Sequence, residues 1–329
     1  MYGEKVVKTK KIAIIGFGAM GCRHAQSLIN NSETASWEIL AVETSEANFK
    51  LGLQKIGADE TRVKRVESII KLPDGVDMVI VATSSGPRFS IMNQLLDKGI
   101  RFYLLEKIVF QSLAQFDHII QRMQQLEAVA YCNFVNRYFD NYNHIRKQIQ
   151  SNPGIPVEMT VTGGEFGLGC NAIHYIDLFE YLTASSGKVT IQHHLLDELE
   201  SGNKRGNEYR EFRGSIVAQN DKKQSLRITS FKAFETGIVI NIRLGDHILH
   251  QLNENMSTAV EYNENGIRNH VFNLLPTSKL TAIICQDIFN GTCRLSTVQE
   301  TRQTQAQLFG IFNPVLKLEN TNETICPIT

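Results

Sequence analysis

The strongest constraint on the fold is the alternation of short apolar runs with amphipathic, helix-like segments over roughly the first 132 residues. The run KIAIIGF leads into GAMGCRHAQSLIN, and the later runs DMVIVATSS and RFYLLEK are each followed by another helix-like segment. Strands that are apolar at nearly every position are buried on both faces, where helices cover them. This pattern predicts an α/β fold with an N-terminal doubly wound parallel sheet of the Rossmann type.

The pattern changes after about residue 153, where runs such as PVEMTVTGGEF and QSLRITSF alternate apolar and polar residues. Such alternation is typical of an antiparallel sheet with one face in solvent. We expect a C-terminal α+β domain with an open, mostly antiparallel sheet, an early helix at IHYIDLFEYLTA and a final helix at about residues 296–312. The predicted domains are residues 1–132, a dinucleotide-binding Rossmann domain, and residues 133–329.

Composition narrows the class of partner. Thirty-four basic residues balance thirty-four acidic ones, so no global charge favours nucleic acid or an anionic membrane. The six cysteines contain no CxxC pair, and no apolar run approaches the roughly 20 residues of a membrane span. We expect a cytoplasmic protein with reduced thiols that binds small molecules.

The turn after the first strand carries Gly16, Gly18 and Gly21 in the spacing GxGxxG. In a dinucleotide site the first glycine permits the tight turn, the second lets the backbone approach a pyrophosphate, and the third lets helix and strand pack closely. Amide groups at the start of the helix then face the phosphates. The predicted cofactor loop consists of Gly16, Phe17, Gly18, Ala19, Met20 and Gly21.

The second strand-like run ends in Glu43, twenty-seven residues after Gly16. A carboxylate there accepts hydrogen bonds from the ribose hydroxyls and repels a 2′-phosphate, which favours NAD over NADP. NADP stays open, because Thr44, Ser45 and Lys50 follow closely and could accommodate a phosphate. The alternative for the whole segment is a purely structural turn with Glu43 at a solvated strand end.

Four further stretches carry a resemblance to one family. The turn continues as GCRHA, the third strand ends ATSSGPR, the next ends LLEKI, and GCNAIHYID comes later. In this order and spacing the chain resembles the family of glucose-fructose oxidoreductase, inositol dehydrogenase and rhizopine catabolism proteins (Gfo/Idh/MocA). The resemblance implies a Rossmann domain and a substrate-binding α/β domain whose open sheet mediates dimers or tetramers. It also implies NAD(P)-dependent oxidation or reduction of sugars, polyols or sugar nucleotides.

The resemblance also implies roles for single residues. Lys107 matches the lysine of the family's Glu-Lys-Pro signature, which sits beside nicotinamide and substrate, and His174 matches the proton-handling histidine. We therefore expect both to be catalytic. Further expected contacts to the cofactor are Thr83, Ser84, Ser85, Glu106 and Lys107, and expected contacts to the substrate are Asn136, Arg137, Cys170, Asn171 and His174.

Three positions depart from the family pattern. Ile108 stands in place of the usual proline, Arg88 in place of a histidine, and Cys170 in place of the motif aspartate. The loss of the aspartate removes a carboxylate that contacts substrate or orients the base, and Asn171 could replace a hydrogen bond but not the charge. Asp177 follows His174 by three residues, on the same helical face, and could orient its ring.

The histidine pairs His193–His194 and His247–His250 invite a metal hypothesis. Adjacent residues in a strand point to opposite faces, and the sequence places no third ligand, so we predict no metal site.

The sequence therefore favours an NAD(P)-dependent oxidoreductase that transfers a hydride between nicotinamide and a secondary alcohol. Two alternatives remain at this stage. One is an enzyme that retains NAD and catalyses elimination or glycoside hydrolysis without net redox. The other is a catalytically impaired protein that still binds cofactor or sugar.

Overall fold

The computed structural model describes residues 9–185, 188–199, 206–232 and 237–329. The chain forms two compact units. Unit one contains the chain up to Glu106 together with Ile119–Asn133 and Pro276–Cys293, and unit two contains Lys107–His118, Phe134–Leu275 and Arg294–Thr329. The division into domains at residues 1–132 and 133–329 stays a prediction.

Unit one is built on a parallel sheet, which has six strands in the described part of the chain, in the order β3-β2-β1-β4-β5-β6. This is the Rossmann strand order, and it confirms the predicted fold. The strands are β1 (Lys11–Ile15), β2 (Glu38–Val42), β3 (Val63–Val66), β4 (Met78–Val81), β5 (Phe102–Leu105) and β6 (Val129–Cys132). The central strands are buried along almost their whole length, which explains their unbroken apolar composition.

Helices follow the strands of unit one, as the amphipathic segments predicted. They are α1 (Ala19–Asn30), α2 (Glu46–Ile56), α3 (Arg88–Asp97) and α4 (Leu113–Gln125), the last of which spans the boundary between the units. A further helix, α7 (Thr277–Asn290), reaches unit one from late in the sequence and packs on α1. The ring of Phe289 on this helix packs edge to face against the rings of Trp37 and Phe102.

Unit two is built on a sheet of eight strands among the described residues, in the order β14-β13-β12-β11-β7-β10-β9-β8. Neighbours are antiparallel except for the parallel pair β7 and β10, so the predicted mostly antiparallel sheet is confirmed. The strands are β7 (Val157–Gly164), β8 (Thr190–Glu198), β9 (Phe212–Gln219), β10 (Ser225–Phe231), β11 (Val239–Leu244), β12 (Ile248–Asn253), β13 (Thr258–Asn263) and β14 (Gly266–Val271).

The helices of unit two are α5 (Asp140–Ser151), α6 (Leu168–Thr183) and α8 (Val298–Val315). Helix α6 is buried along most of its length and packs against α5, α8 and the sheet. Helix α8 begins with a capping box between Thr297 and Glu300, and its Phe312 stacks on Phe212 at 4.3 Å between ring centroids. The early and final helices of the C-terminal half thus occur where the alternating pattern stops.

Several elements have no counterpart in the sequence analysis. Strand β3 is short and has Lys64 and Arg65 at its centre, and strands β13 and β14 and helix α7 lie in stretches that had no assignment. Among the helices of the described segments, none combines the length and apolar character needed to cross a membrane.

Candidate cofactor and catalytic residues

The three glycines of the turn differ in what surrounds them. Gly16 has φ of +85°, a conformation that side chains rarely adopt. A Cβ on Gly21 would lie 2.0 Å from the carbonyl oxygen of Gly16, so α1 can pack on β1 only with glycine there. A Cβ on Gly18 would meet nothing within 4 Å. The turn therefore has the tight bend, the open approach and the close packing that a dinucleotide loop requires.

The start of α1 provides donors for a phosphate group. Gly18 occupies the N-cap position, and no side chain caps the helix there. The first amide groups of a helix lack partners within it and carry the positive end of its dipole. The residues present thus fit a dinucleotide, whose pyrophosphate would lie against Gly18, Ala19 and Met20.

Phe17 anchors this turn to the core rather than presenting its side chain to a ligand. Its ring is buried and lies 5.3 Å from that of Phe49, and a Cβ on Gly52 would come within 2.6 Å of the ring. Its backbone amide donates to Oε2 of Glu43 at 3.3 Å. The turn is thereby held by its aromatic residue on one side and by a carboxylate on the other.

Glu43 directly follows β2 and connects that strand end with the glycine turn. Its Oε1 accepts from the backbone amide of Ser45 at 3.1 Å. Lys50, the cation that could have received a 2′-phosphate, is paired with Glu46. Arg65 is a nearby cation that the sequence analysis missed, and it donates to the backbone oxygens of Glu43 and Thr44.

The carboxyl ends of β4 and β5 lie side by side in the sheet. The Thr83 hydroxyl oxygen is buried and has no hydrogen-bond partner within the described residues. Ser84 is partly exposed, and Ser85 is buried and accepts from the amide of Arg88. The fully buried Arg88 donates to the carbonyl oxygens of Thr83 and Glu106, so it ties the two strand ends together.

Glu106 lies in a buried polar cluster inside unit one. Its Oε1 contacts Nδ2 of Asn133 at 2.7 Å and Nε2 of His24 at 3.2 Å. The other ring nitrogen of His24 lies 2.8 Å from the hydroxyl of Thr281 on α7. The carboxylate thus serves the packing of the strand end, whereas its expected contact to a cofactor stays a prediction.

Lys107 begins unit two and lies against the first turn of α6. Its Nζ is 3.0 Å from the carbonyl oxygen of Cys170 and 2.6 Å from the Cys170 sulfur. The side chain of Lys107 is largely buried, and Cys170 is half-buried. The structure therefore pairs the candidate catalytic lysine with the residue that replaces the family aspartate. The peptide bond between Lys107 and Ile108 is cis.

Glu211 completes this site and was not found from the sequence. It accepts from the backbone amides of Gly169 and Cys170, at the positive end of α6. Burial raises the pKa of Glu211, while the backbone amides and the charge of Lys107 act in the opposite direction. A Cβ at Gly167 or Gly169 would collide with its carboxylate, which explains the glycine-rich approach to the helix. That spacing was the one signal in the sequence.

His174 follows Cys170 by four residues on α6, so helical geometry puts both on the same face. Its ring is half-buried and meets Phe134 edge to face at 5.6 Å. The structure thus brings Lys107, Cys170 and His174 to one side of α6.

Asp177 has a different partner from the one expected. Its two oxygens accept from Nε and Nη2 of Arg137 at 2.9 and 2.8 Å, and one also accepts from Ser296. Burial alone would lower the pKa of Arg137, but Asp177 more than compensates and raises it. Both residues are buried, so Arg137 belongs to an internal ion pair. Asp177 thus anchors α6 through Arg137 and Ser296, and the expected contact of Arg137 with a substrate stays a prediction.

The two asparagines also lie in unit two. Asn136 is buried within a short 3-10 turn, and Asn171 donates to the carbonyl oxygens of Phe166 and Gly167. The side-chain amide of Asn171 thus connects the first turn of α6 to the two residues that precede the helix. Their expected contacts to a substrate stay predictions.

The histidines of the two pairs differ in burial. His250 is buried and bonds to Gln148, whereas His193 and His194 are exposed. No group of three potential ligands that could hold a metal ion occurs in the described residues. The absence of a metal stays a prediction.

Comparisons with known proteins concern the fold and the family of the first part of the chain. Residues 10–134 match the Gfo/Idh/MocA family model, described as an oxidoreductase family with an NAD-binding Rossmann fold. No curated protein sequence matches the chain. The resemblance inferred from the motifs is thus confirmed for residues 10–134.

Three solved structures illustrate the shared fold. An oxidoreductase from Agrobacterium radiobacter, in complex with NAD+, L-tartaric acid and magnesium, is 13% identical with a TM-score of 0.69, covering 91% of this chain and 94% of that one. UDP-N-acetylglucosamine 3-dehydrogenase from Acidithiobacillus ferrooxidans is 15% identical with a TM-score of 0.67, covering 91% and 96%. Biliverdin reductase from Synechocystis, with biliverdin and NADP+, is 13% identical with a TM-score of 0.66, covering 91% and 97%. At these identities the likeness concerns the fold. The expected homo-oligomer and cytoplasmic location stay predictions.

Proposed function

Residues 10–134 belong to the Gfo/Idh/MocA oxidoreductase family, and from this premise we propose that the chain transfers a hydride between nicotinamide and a secondary alcohol. The substrate class is a sugar, a polyol or a sugar nucleotide, as in the similar dehydrogenase named above. The observation that carries the proposal is the glycine turn, where Gly18 is open and Gly21 is closed to any side chain.

In this proposal the amides of Gly18, Ala19 and Met20 bind the pyrophosphate. In the same proposal Glu43 binds the ribose hydroxyls, and its position is supported by the hydrogen bonds that it accepts from the backbone amides of Phe17 and Ser45. Its negative charge supports NAD over NADP. When bound, the nicotinamide ring supplies the hydride-accepting or hydride-donating carbon.

Unit two supplies the proton chemistry. Lys107 is a buried cation that donates hydrogen bonds, and it polarises the substrate oxygen. His174, on the same face of α6 as Cys170, accepts the proton from the hydroxyl during oxidation and returns it during reduction. The ion pair of Arg137 and Asp177 holds α6 in place, so that Arg137 acts as a positioning residue.

One observation favours a second candidate function. Lys107 contacts the sulfur of Cys170 where the family has a carboxylate. A protein with this change could bind cofactor and sugar with little turnover, or retain NAD without net redox. NAD that copurifies, together with no NADH produced from any substrate, would identify these cases.

The test is a thermal-shift panel with NAD, NADP and their reduced forms, followed by sugars, polyols and nucleotide sugars in the presence of the best cofactor. A ligand that binds the native state raises the melting temperature by mass action. At a ligand concentration of one hundred times its Kd, the unfolding free energy rises by about 2.7 kcal/mol. We expect NAD to give a larger shift than NADP. If no nicotinamide nucleotide shifts the melting temperature, the proposal fails.

For the substrate found in the panel, Lys107→Met should lower kcat by on the order of 10² or more, because the polarising cation is lost. Cofactor affinity should stay within about twofold of the wild type, since the glycine turn is unchanged. Arg302→Met is a matched control, because Arg302 pairs with Asp117 at the surface of unit two. Unchanged kcat in Lys107→Met would remove the lysine from the mechanism.

A further inference from the structure

The contact between Lys107 and Cys170 joins a nitrogen nucleophile to an oxidisable sulfur. Nζ of Lys107 lies 2.6 Å from the sulfur of Cys170 and 3.0 Å from its carbonyl oxygen, so the amine is in contact with the thiol. Groups held at reacting distance combine far faster than the same groups free in solution. The thiolate is the form of cysteine that reacts with peroxides.

We propose that Lys107 and Cys170 form an oxidative modification site, at which hydrogen peroxide converts the pair into a covalent sulfenamide crosslink. Nothing about hydride transfer requires this chemistry, and the crosslink itself does not depend on the proposed function.

The reaction balances in two steps. The thiol first releases its proton, and the resulting thiolate sulfur attacks one oxygen of hydrogen peroxide. The oxygen–oxygen bond breaks, the leaving hydroxide takes up the released proton, and the products are a sulfenic acid and water. The lone pair of the lysine amine then attacks the sulfur, the sulfur–oxygen bond breaks, and the hydroxide leaves with an amine proton as water. Sulfur is oxidised by two electrons, peroxide is reduced, and the crosslinked chain is lighter by two hydrogen atoms.

The other cysteines lie in different surroundings. Cys22, Cys132, Cys285 and Cys326 are buried, and burial raises the pKa of Cys326 to about 12, which disfavours its thiolate. Cys293 is half-buried, like Cys170, and belongs to unit one. It is therefore the matched control for accessibility to peroxide.

A crosslink would remove the amine of Lys107 from proton chemistry. The effect on activity, unlike the crosslink itself, rests on the proposed function. Peroxide would then switch the enzyme off, and a thiol would restore it by cleaving the sulfur–nitrogen bond. The replacement of the family aspartate by cysteine would then create a redox-sensitive variant of the site.

The experiment uses the intact wild-type protein, treated with hydrogen peroxide, blocked with iodoacetamide and digested with trypsin without reductant. Trypsin normally cuts after Lys107 and releases residues 102–107, while Cys170 lies in the tryptic peptide 148–188. We expect loss of cleavage after Lys107 and a new linked species that joins peptide 102–122, uncut at Lys107, to peptide 148–188, two hydrogen masses below their combined mass. Dithiothreitol should abolish it.

Variants assign the two ends. Cys170→Ser and Lys107→Arg should each abolish the linked species, whereas Cys293→Ser should leave its yield unchanged. Since Lys107→Arg keeps the thiol, a dimedone probe should trap Cys170 sulfenic acid in that variant, which also shows that the thiol is reactive there. Wild-type protein that forms sulfenic or sulfinic acid at Cys170 while trypsin still cuts fully after Lys107 would overturn the proposal. Because the readout is mass, this result is independent of whether any substrate is turned over.

Discussion

The glycine turn of unit one and the Lys107–Cys170 contact of unit two are the two regions on which the proposed function depends, and they keep the sequence patterns of the family to different degrees. In the turn each glycine has a backbone reason to be there: a positive φ at Gly16, open space at Gly18 and a neighbouring carbonyl at Gly21. In unit two the lysine and histidine are present, but the carboxylate is replaced by the sulfur of Cys170.

The difference shows what each kind of site tolerates. A phosphate-binding turn is made by main-chain amides, so its requirements are steric and any larger residue breaks them. A proton-transfer site is made by side chains, so a substitution changes its chemistry while the backbone stays the same. The fold can therefore be retained in unit two while its reactivity changes.

The largest effect is expected at the closed glycine. In Gly21→Ala the new methyl group would lie 2.0 Å from the oxygen of Gly16, so helix α1 must move away from β1. Overpacking of this kind costs about 1–3 kcal/mol of unfolding free energy. We expect a lower melting temperature and a loss of cofactor affinity of about tenfold or more, measured by denaturation and by cofactor titration.

Gly18→Ala is the partner of this variant, because its methyl group meets no protein atom within 4 Å. It should keep the stability of the wild type and still weaken cofactor binding. Gly310→Ala, at a half-buried position of α8 in unit two, should not lower the stability and should leave the cofactor affinity unchanged. Equal cofactor affinity in Gly18→Ala and wild type would mean that the open space does not receive the pyrophosphate.

How far the sequence could predict each region follows from the same distinction. The alternating pattern and the glycine spacing were sufficient for both sheets, because burial and backbone geometry act through residues close in the chain. Helix α7 was missed because its packing partner in unit one is far away in the sequence. Thr281 of α7 contacts His24, which lies 257 residues earlier. Local patterns carry no information about a packing partner at that distance.

The side-chain partners in unit two were harder to predict. Asp177 was expected to orient His174 from their spacing on a helix, yet it binds Arg137, forty residues earlier. Glu211 reaches the start of α6 from the edge of β9, and only the glycines at 167 and 169 hinted that something lay close. Helical spacing shows which residues share a face, but a buried charge takes whichever opposite charge the tertiary fold brings to it.

A second effect, smaller than that of the glycines, would restore the family pattern. In Cys170→Asp a carboxylate would face Nζ of Lys107 in place of sulfur, and a charge-assisted hydrogen bond would fix the lysine more firmly. We expect kcat to rise by roughly fivefold, which corresponds to about 1 kcal/mol of transition-state stabilisation. Steady-state kinetics with the substrate of the wild type would measure it.

Cys170→Asn is the control for this change, since it adds similar bulk without the charge and should not raise kcat. A decrease of kcat in Cys170→Asp would show that the thiol itself is part of the chemistry, and the two regions would then differ in function as well as in pattern.

The smallest effect concerns the stability of α6, the helix that carries Cys170 and His174. Its Tyr175 donates to Oε1 of Glu254 at 3.3 Å, and burial raises the pKa of Glu254 from 4.5 to about 7. A carboxyl group with a raised pKa binds its proton more tightly in the folded state. Its contribution to stability is therefore full below about pH 4.5 and is lost as the pH rises to about 7.

Glu254→Gln should remove this dependence, because the amide cannot ionise but can still accept from Tyr175. Between pH 5 and pH 7 we expect the unfolding free energy of the wild type to fall by roughly 1–2 kcal/mol more than that of the variant, allowing for partial exposure of the group. Urea denaturation at several pH values measures the difference, with Glu264→Gln, at an exposed hairpin turn, as the control. Equal slopes in wild type and Glu254→Gln would place the pH dependence elsewhere. A difference would locate a neutral carboxyl group against α6, so that stability near Cys170 and His174, as well as the proposed reactivity, depends on side chains.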